Sequence, residues 1–437
     1  MFRNPNHRTV FFIWLGWALI MLGYHILVPA RLTIKPPDYA LEWTDTETLP
    51  GSQNGKIFLN EHFLNRHVSW DSEYYLAIAV SGYEAPTIHR IRGQIGSSSA
   101  SNPGYWPFVI PANSQSTPGI SLSYAFFPFY PMMMRLFAIP LSLFGLNEIA
   151  TATLAGVIVS MLGTLAAMLA LYEFGKDDMN EASGIRAAFY LLIFPSAFFL
   201  AEIYTEGLFV GLAFSSLLLA RRGYRGWAAL IAIFATFTRA VGVLLFIPML
   251  ISWIKEWEWM ELDMEWKQIY YRGLPWRVIF RALIVFAPLA AFFLWRISYY
   301  GLAFSLVEEE FFGRGFLAFG NTFVLWADGF KAIFGNVPNA AAYYFVEWLG
   351  AIIGFTACIA GFKRHPDIAI FGFLVVFLSF TSGPAQGIYR YVLGAPPVFL
   401  FLSRLGKNQV FDRLWTIASI LIMGMMCTMY MFDMWAG

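Results

Sequence analysis

Hydrophobic positions along the chain form long runs, and the polar segments between them hold most of the charged residues. A helix that crosses a bilayer needs roughly 17–25 apolar residues. Runs of suitable length predict about eleven spans, at approximately residues 10–30, 149–173, 186–202, 204–221, 226–240, 241–257, 278–298, 340–362, 367–383, 391–405 and 412–432. The predicted fold class is therefore an all-α polytopic membrane protein, with one integral-membrane domain over residues 1–437.

The polar connections predict the orientation of these spans. Cytoplasmic loops carry the excess of Lys and Arg, so the basic start MFRNPNHR is predicted to be cytoplasmic. The first extracytoplasmic loop is then 31–148 and the second is 299–339. The stretch 126–145 is apolar enough to span but contains three prolines and Arg135. We interpret it as an interfacial helix on the outer surface, because only then do the later basic segments all return to the cytoplasm.

Composition narrows the class of protein. Of the 437 residues, 58% are hydrophobic and 13% are charged, and the formal net charge is +1. A chain with so little positive charge has no electrostatic footprint for nucleic acid. The two cysteines, Cys358 and Cys427, lie in apolar segments and predict neither a disulfide framework nor a metal site. We assign no cofactor, and dependence on a divalent metal is left open.

Asp71 is the first candidate for chemistry. In WDSEYYLAIAVSGY, positions Trp70, Tyr74 and Ile78 share one face at helical spacing, so Asp71 is expected at the start of an amphipathic helix along the membrane. A carboxylate there can accept a proton from an incoming hydroxyl, a requirement that Glu73 also meets. The alternative is a capping carboxylate that satisfies free N–H groups. His67 is the histidine that we single out, because it is near Asp71.

Two further groups are expected at the same membrane face. Tyr204 and Glu206 lie in FPSAFFLAEIYTEGLF, between two short spans, where a carboxylate is costly unless it is paired. The alternative is an ordinary turn cap. Tyr389 precedes Arg390 in GPAQGIYRYVLGAPP.

Arg239 lies inside an apolar run with no acid nearby in sequence. Guanidinium groups bind phosphate through two parallel hydrogen bonds and stay charged. Arg239 and Arg390 therefore suggest a lipid-linked phosphate, which would supply the missing counter-charge. The alternative is an arginine that anchors the end of a span, and this fits Arg390 better than Arg239. Arg135 is expected only to meet headgroups.

Several short motifs resemble those of the GPI mannosyltransferase 2 (PIG-V type) family and its prokaryotic relatives. They are WDSEYYLAIAVSGY, YAFFPFYP, FPSAFFLAEIYTEGLF, TRAVG and IYRYVLGAPPVFLFLSRL, in the family's order over almost the whole chain. The long first outer loop also resembles the wider class of lipid-phosphate-sugar glycosyltransferases, the GT-C type.

The resemblance implies transfer of mannose from polyprenyl- or dolichyl-phosphate mannose to a membrane-bound acceptor on the outer face, with inversion. It places the general base at Asp71 and donor phosphate-binding groups at Arg239 and Arg390. The predicted substrate-binding residues are Trp70, Glu73, Tyr204, Glu206 and Tyr389. The wider class often has a paired-acid motif where this chain has Asp-Ser-Glu, so the resemblance assigns no metal.

Two other classes of function stay open at this point. A lipid or oligosaccharide transporter or flippase would need polar residues along a path and inverted repeats, and no convincing repeat is found. A non-catalytic scaffold would leave Arg239 without a role. The absence of any Asn-x-Ser/Thr acceptor favours the plasma membrane of a prokaryote over the endoplasmic reticulum membrane.

Overall fold

Helices make up most of the computed structural model, which describes residues 4–32, 62–85, 88, 90–91, 119–261 and 276–436. Residues 33–61 and 92–118 of the predicted first loop lie outside this described part. The described α-helices, numbered α1 to α17, are Pro5–Arg31, His62–Asn65, Asp71–Ser81, Phe129–Leu141, Glu148–Asp178, Glu181–Leu192, Thr205–Arg221, Arg225–Thr236, Phe246–Glu261, Trp276–Arg296, Tyr299–Glu310, Phe319–Ile333, Pro338–Gly361, Pro366–Phe380, Ile388–Tyr391, Pro396–Leu405 and Gln409–Met431. One short antiparallel pair, β1 (Arg90–Ile91) and β2 (Ile120–Ser121), accompanies them.

Five described helices are long and apolar enough to cross a membrane. They are Pro5–Arg31, Glu148–Asp178, Ile279–Arg296, Pro338–Gly361 and Gln409–Met431. At about 1.5 Å per residue, the shortest of them approaches the thickness of the hydrocarbon core and the others exceed it. The predicted fold class, an all-α multi-pass membrane protein, is confirmed.

Most of the other predicted spans are shorter helices interrupted by 3₁₀ turns. The span predicted at 186–202 is α6 followed by the 3₁₀ helix Ala197–Ala201. The pair predicted at 226–240 and 241–257 is α8, the 3₁₀ helix Ala240–Leu245 and α9. Each interruption leaves main-chain groups that need partners. These breaks carry the polar residues of the candidate site.

Helices α5 and α7 pack backbone to backbone at the centre of the bundle. A Cβ atom at Gly207 would overlap the carbonyl group of Ser160 on α5, so only glycine permits this approach. The Ser160 hydroxyl donates to the carbonyl oxygen of Tyr204, 3.0 Å away. This contact holds the start of α7, where Glu206 lies, against α5.

Helix α3 begins at Asp71, as predicted, but its surroundings differ from the prediction. Every residue from Ser72 to Ala79 is buried, so the expectation of an amphipathic helix with one exposed face is wrong, and its position along the membrane stays a prediction. The helix is enclosed because α4 and α5 pack around it.

The stretch 126–145 contains α4, whose 13 residues are fewer than a perpendicular span needs. Its interfacial position stays a prediction. Arg135 on α4 donates to the carbonyl oxygens of Ala79 and Ile78 at 2.5 and 2.9 Å. It therefore binds the last turn of α3, and the expectation that it only meets headgroups is wrong.

The basic segments that were predicted to be cytoplasmic meet at one end of the bundle. Arg404 and His365 both contact Asp178 at the end of α5, at 2.7 and 3.0 Å. Arg221, at the end of α7, makes two hydrogen bonds of 2.6 Å to Asp367. Segments around 221, 365 and 404 thus share one side of the molecule.

Candidate functional site

Four interruptions in the helical pattern converge near the start of α7. Asp71 begins α3, Glu206 lies in the first turn of α7, Arg239 precedes the 3₁₀ helix Ala240–Leu245, and Arg390 lies in α15. Isolated polar residues from distant parts of the sequence therefore form one cluster. The sequence-predicted residues Asp71, Tyr204, Glu206, Arg239 and Arg390 are all members.

The main chain around Asp71 is held in an unusual conformation. Trp70 has φ of 59° although it carries a bulky side chain, and such a conformation costs of order 1–3 kcal/mol. The N–H of Asp71 donates to the Tyr204 hydroxyl at 3.2 Å, and that hydroxyl donates to the carbonyl of Ser69 at 3.3 Å. The surrounding structure thus fixes the point at which α3 begins.

Ion pairs connect Asp71 to the start of α7. The Arg390 Nη1 atom lies 3.2 Å from the Asp71 carboxylate, and Arg390 Nε lies 3.2 Å from Glu206 Oε1. The same Glu206 oxygen accepts from Arg239 at 2.5 Å. Glu206 therefore supplies the counter-charge of Arg239, and the expectation that Arg239 lacks a protein partner is wrong. The Asp71 side chain is 30% exposed, whereas that of Glu206 is 3% exposed.

Tyr391 stands among three guanidinium groups. The guanidinium carbons of Arg239, Arg390 and Arg314 lie 4.8, 5.2 and 5.6 Å from the centre of its ring. Arg314 also donates to the Tyr391 hydroxyl at 2.8 Å. The contacts combine cation–π attraction with a hydrogen bond that fixes the ring. Sequence reasoning missed Arg314 and Tyr391; the available signals were an arginine between two glycines in FFGRGF and a second tyrosine beside Arg390 in IYRY.

Glu308, at the end of α11, is the second charged residue that sequence reasoning missed. The N–H of Arg314 donates to its main-chain carbonyl at 2.8 Å. Burial raises the pKa of its side chain to about 7. The positive charge of Arg314 lowers this pKa, whereas the negative charge of Asp71 raises it further. In the sequence Glu308 looked like any member of a solvated acidic run, EEE.

The other predicted residues have separate positions. Trp70 lines a small pocket beside Arg390, together with Phe199, Tyr204, Tyr430 and Trp435. Glu73 is buried in α3, 1% exposed. Tyr389 packs against Gly350 of α13, and its main-chain carbonyl accepts from Ser196. The neighbouring Tyr391, and not Tyr389, contacts the arginines.

The charges of the cluster favour an anion. The cluster contains the guanidinium groups of Arg239, Arg390 and Arg314 and the carboxylates of Asp71 and Glu206, which leaves one positive charge when Glu308 is protonated. Guanidinium groups match phosphate oxygens in geometry and remain charged when buried. Elsewhere in the described residues, the ligand atoms of His25, Glu202 and Cys427 lie within 4.8 Å of one another, a possible metal-binding group.

Comparison with known proteins gave structural neighbours only. No protein-family model matches the chain, and no curated protein matches it significantly. The apo oligosaccharyltransferase of Archaeoglobus fulgidus is 14% identical, with a TM-score of 0.42 over 100% of this chain and 57% of its own. ArnT of Cupriavidus metallidurans bound to undecaprenyl phosphate is 13% identical, with a TM-score of 0.43 over 96% of this chain and 76% of its own.

A second structure of the Archaeoglobus fulgidus protein, AglB in complex with an inhibitory peptide and a dolichol-phosphate, is 15% identical, with a TM-score of 0.37 over 95% of this chain and 55% of its own. This chain therefore spans little more than half of the archaeal protein. TM-scores at this level do not assign the chain to a family, and its function must be inferred from its own site.

Proposed function

We propose that the protein is a membrane glycosyltransferase that transfers mannose from polyprenyl- or dolichyl-phosphate mannose to a membrane-bound acceptor. One observation carries the proposal: Asp71, a partly exposed carboxylate, lies 3.2 Å from Arg390 in a cluster that also contains Arg239 and Arg314. A proton acceptor and an anion-binding group are thus adjacent. Mannose and the lipid donor come from the resemblance of the sequence motifs.

The three arginines are suited to hold the donor phosphate. A lipid phosphate that carries a sugar is a diester with one negative charge, which equals the charge left over in the cluster. Charge-assisted hydrogen bonds from guanidinium groups are roughly twice as strong as neutral ones. Glu206 keeps Arg239 and Arg390 paired when no donor is bound, and this offsets the cost of burying them.

Asp71 is the best candidate for the general base because the acceptor can reach it. The side chain of Asp71 is 30% exposed. The exposed fractions of the whole residues Glu73 and Glu206 are only 1% and 2%. Glu206 also accepts from Arg239 and lies beside Arg390. Of the three carboxylates that the motifs suggested, only Asp71 combines access with a position beside a phosphate-binding group.

The proposed reaction is one displacement at the anomeric carbon. The acceptor oxygen forms a bond to C1 while the bond from C1 to the phosphate oxygen breaks. The hydroxyl proton passes to Asp71, and the electron pair of the broken bond stays on the lipid phosphate. Preplaced arginines stabilise the charge that develops on the leaving group. Attack from the opposite face converts a β-linked donor into an α-mannoside.

The acceptor follows from the resemblance alone. It is proposed to be a glycolipid of the GPI-like kind in the lipid bilayer, on the extracytoplasmic face. The plasma membrane of a prokaryote is the proposed location.

The test is transfer of radiolabelled mannose from synthetic polyprenyl-phosphate mannose by the purified protein in detergent. Formation of a mannosylated acceptor with release of polyprenyl phosphate is expected. A flippase would move the donor across liposome membranes without changing it chemically. Intact donor after incubation with a panel of glycolipid acceptors, together with donor movement in liposomes, would contradict the proposal.

A further inference from the structure

A group of three buried side chains lies beside the candidate site. The carboxylate of Glu202 stands between two histidines: Oε1 is 2.7 Å from His25 Nε2, and Oε2 is 2.6 Å from His67 Nδ1. The imidazole rings stack on each other with centres 4.2 Å apart. All three side chains are 0–1% exposed. We call His25, Glu202 and His67 the His–Glu–His cluster.

One hydrogen bond and one ion-pair contact hold the Glu202 carboxylate, although Glu202 Oε1 and His67 Nε2 have no hydrogen-bond partner among the described residues. His25 Nδ1 lies 2.8 Å from the carbonyl oxygen of Met21, which can only accept, so Nδ1 carries a proton. Glu202 then has one imidazole at each oxygen. A buried carboxylate without such partners would cost several kcal/mol. Loss of either contact would leave the buried Glu202 carboxylate poorly paired and destabilise the folded protein. The three side chains are therefore held in one arrangement.

The cluster joins the segment that carries Asp71 to the segment that carries Glu206. His67 lies four residues before Asp71, and Glu202 lies four residues before Glu206. The Tyr430 hydroxyl of α17 donates to the main-chain carbonyl of His67 at 3.0 Å, which fixes this segment from another side. His25 belongs to α1, so the first long helix is connected to the same point.

We infer that the His–Glu–His cluster is a positioning device that sets the place of Asp71 relative to the arginines. The inference rests on the proposed function. The short segment from His67 to Asp71 contains the strained Trp70, so its geometry depends on external support. A displacement of about 1 Å in a reacting group can lower a rate by about 100-fold. The cluster touches no substrate in this scheme and acts through Asp71.

The experiment compares His67→Leu with His67→Asn. Asparagine offers an N–H near the position of His Nδ1, whereas leucine keeps bulk and removes the donor. His67→Leu should lower kcat by about 10- to 100-fold and leave the dissociation constant for undecaprenyl phosphate within about threefold, because the arginines stay in place. His67→Asn should recover most of the lost turnover. If His67→Leu does not fold, Glu202→Gln replaces it, with the same drop in kcat expected.

Cys358→Ala is the control, because it removes a buried thiol of α13 that lies outside the cluster. Turnover of this variant should equal that of the wild type. Cys427 tests the metal alternative, since its sulfur lies 4.0 Å from His25 Nε2. An equal loss in Cys427→Ala and His67→Leu, together with about one zinc ion per purified protein, would overturn the inference in favour of a metal site.

A readout independent of transfer separates this inference from the proposed function. In an Asp71→Cys protein, the rate at which a maleimide modifies the introduced thiol reports the position of residue 71; the natural cysteines are buried. Adding His67→Leu should change that rate several-fold, and adding His67→Asn should not. An unchanged rate in both, or wild-type turnover in His67→Leu, would overturn the positioning role. No transfer by the wild type would contradict the proposed function alone.

Discussion

Glu206 forms ion pairs with two guanidinium groups at once, because its Oε1 atom lies within reach of both Arg239 and Arg390. The sequence marked all three residues as costly in an apolar setting. The sequence does not show that these residues form ion pairs, since they lie in different interruptions of the helical pattern. For the same reason the sequence does not reveal the role of Arg314, which depends on the contact of its side chain with Tyr391.

Removing Arg239 should weaken donor binding. Hydrogen bonds to charged groups contribute about 1.5–3 kcal/mol, so Arg239→Ala is expected to raise the dissociation constant for polyprenyl-phosphate mannose by about 10- to 100-fold. Arg239→Lys keeps the charge but loses the paired donors, and should have a smaller effect. Arg222→Ala is the control, because it removes an arginine from the opposite end of α7. Wild-type affinity in Arg239→Ala would show that Arg239 serves packing.

Glu308 should make donor binding depend on pH. Its pKa is raised from 4.5 to about 7 by burial, so the folded protein keeps this proton up to that range. As the pH rises through about 7, Glu308 gains a negative charge and the cluster loses its excess positive charge. The donor is a diester that does not titrate there. Affinity for polyprenyl-phosphate mannose should therefore fall several-fold between pH 6 and 8, and Glu308→Gln should abolish the fall.

At the scale of elements, the position of α15 depends on α13. Glu347 of α13 is fully buried, and its two oxygens accept from the N–H groups of Gly387 and Ile388 at 2.5 and 2.7 Å. Gly387 has φ of 78°, which glycine adopts without strain. These contacts hold the short helix that carries Arg390. The sequence shows that the carboxylate of Glu347 lies in an apolar span, but it does not show which groups that carboxylate contacts.

Glu347→Gln should therefore disturb α15. The amide nitrogen of glutamine would face a main-chain N–H, and a buried donor without an acceptor costs about 1–3 kcal/mol. We expect a lower temperature of unfolding and reduced transfer. Glu310→Gln, at an exposed position of α11, is the control and should change neither. Unchanged stability and transfer in Glu347→Gln would contradict this role for Glu347.

The lengths of the elements also show what the pattern could predict. The long helices follow from uninterrupted apolar runs, as in Glu148–Asp178. The break between α6 and α7 is less predictable, because FPSAFFLAEIY stays apolar while the chain turns. Its main chain turns through a 3₁₀ helix held by contacts such as that of the Thr164 hydroxyl with the Leu200 carbonyl, which are set by tertiary packing.

At the scale of the whole molecule, α7 runs from the candidate site to the end of the bundle where the basic segments lie. Glu206 lies in the first turn of α7 and Arg221 in the last, so about 22 Å of helix separates the candidate site from the ion pair with Asp367. The basic segments around 221, 365 and 404 gather at the second end. The rule that cytoplasmic segments are basic then predicts an extracytoplasmic site.

Cysteine labelling tests this orientation. Ser72, a natural choice beside Asp71, is buried, so exposed positions are preferable. Ser81→Cys and Glu148→Cys should react with an impermeant maleimide from outside the cell, and Tyr224→Cys only after the cytoplasmic side is opened. The buried natural cysteines give a low background. Labelling of Glu148→Cys only from the cytoplasm would mean that α4 belongs to a true span.

The central claim is that Asp71 removes a proton from the acceptor while the arginines hold the donor. The most direct test compares wild-type and Asp71→Asn proteins in a single-turnover transfer from polyprenyl-phosphate mannose, with donor affinity measured on the same samples. Loss of a general base typically costs about 10²–10⁴-fold in rate. We predict a loss in this range with donor affinity within about threefold of wild type. Retention of more than about a tenth of the wild-type rate would contradict the assignment.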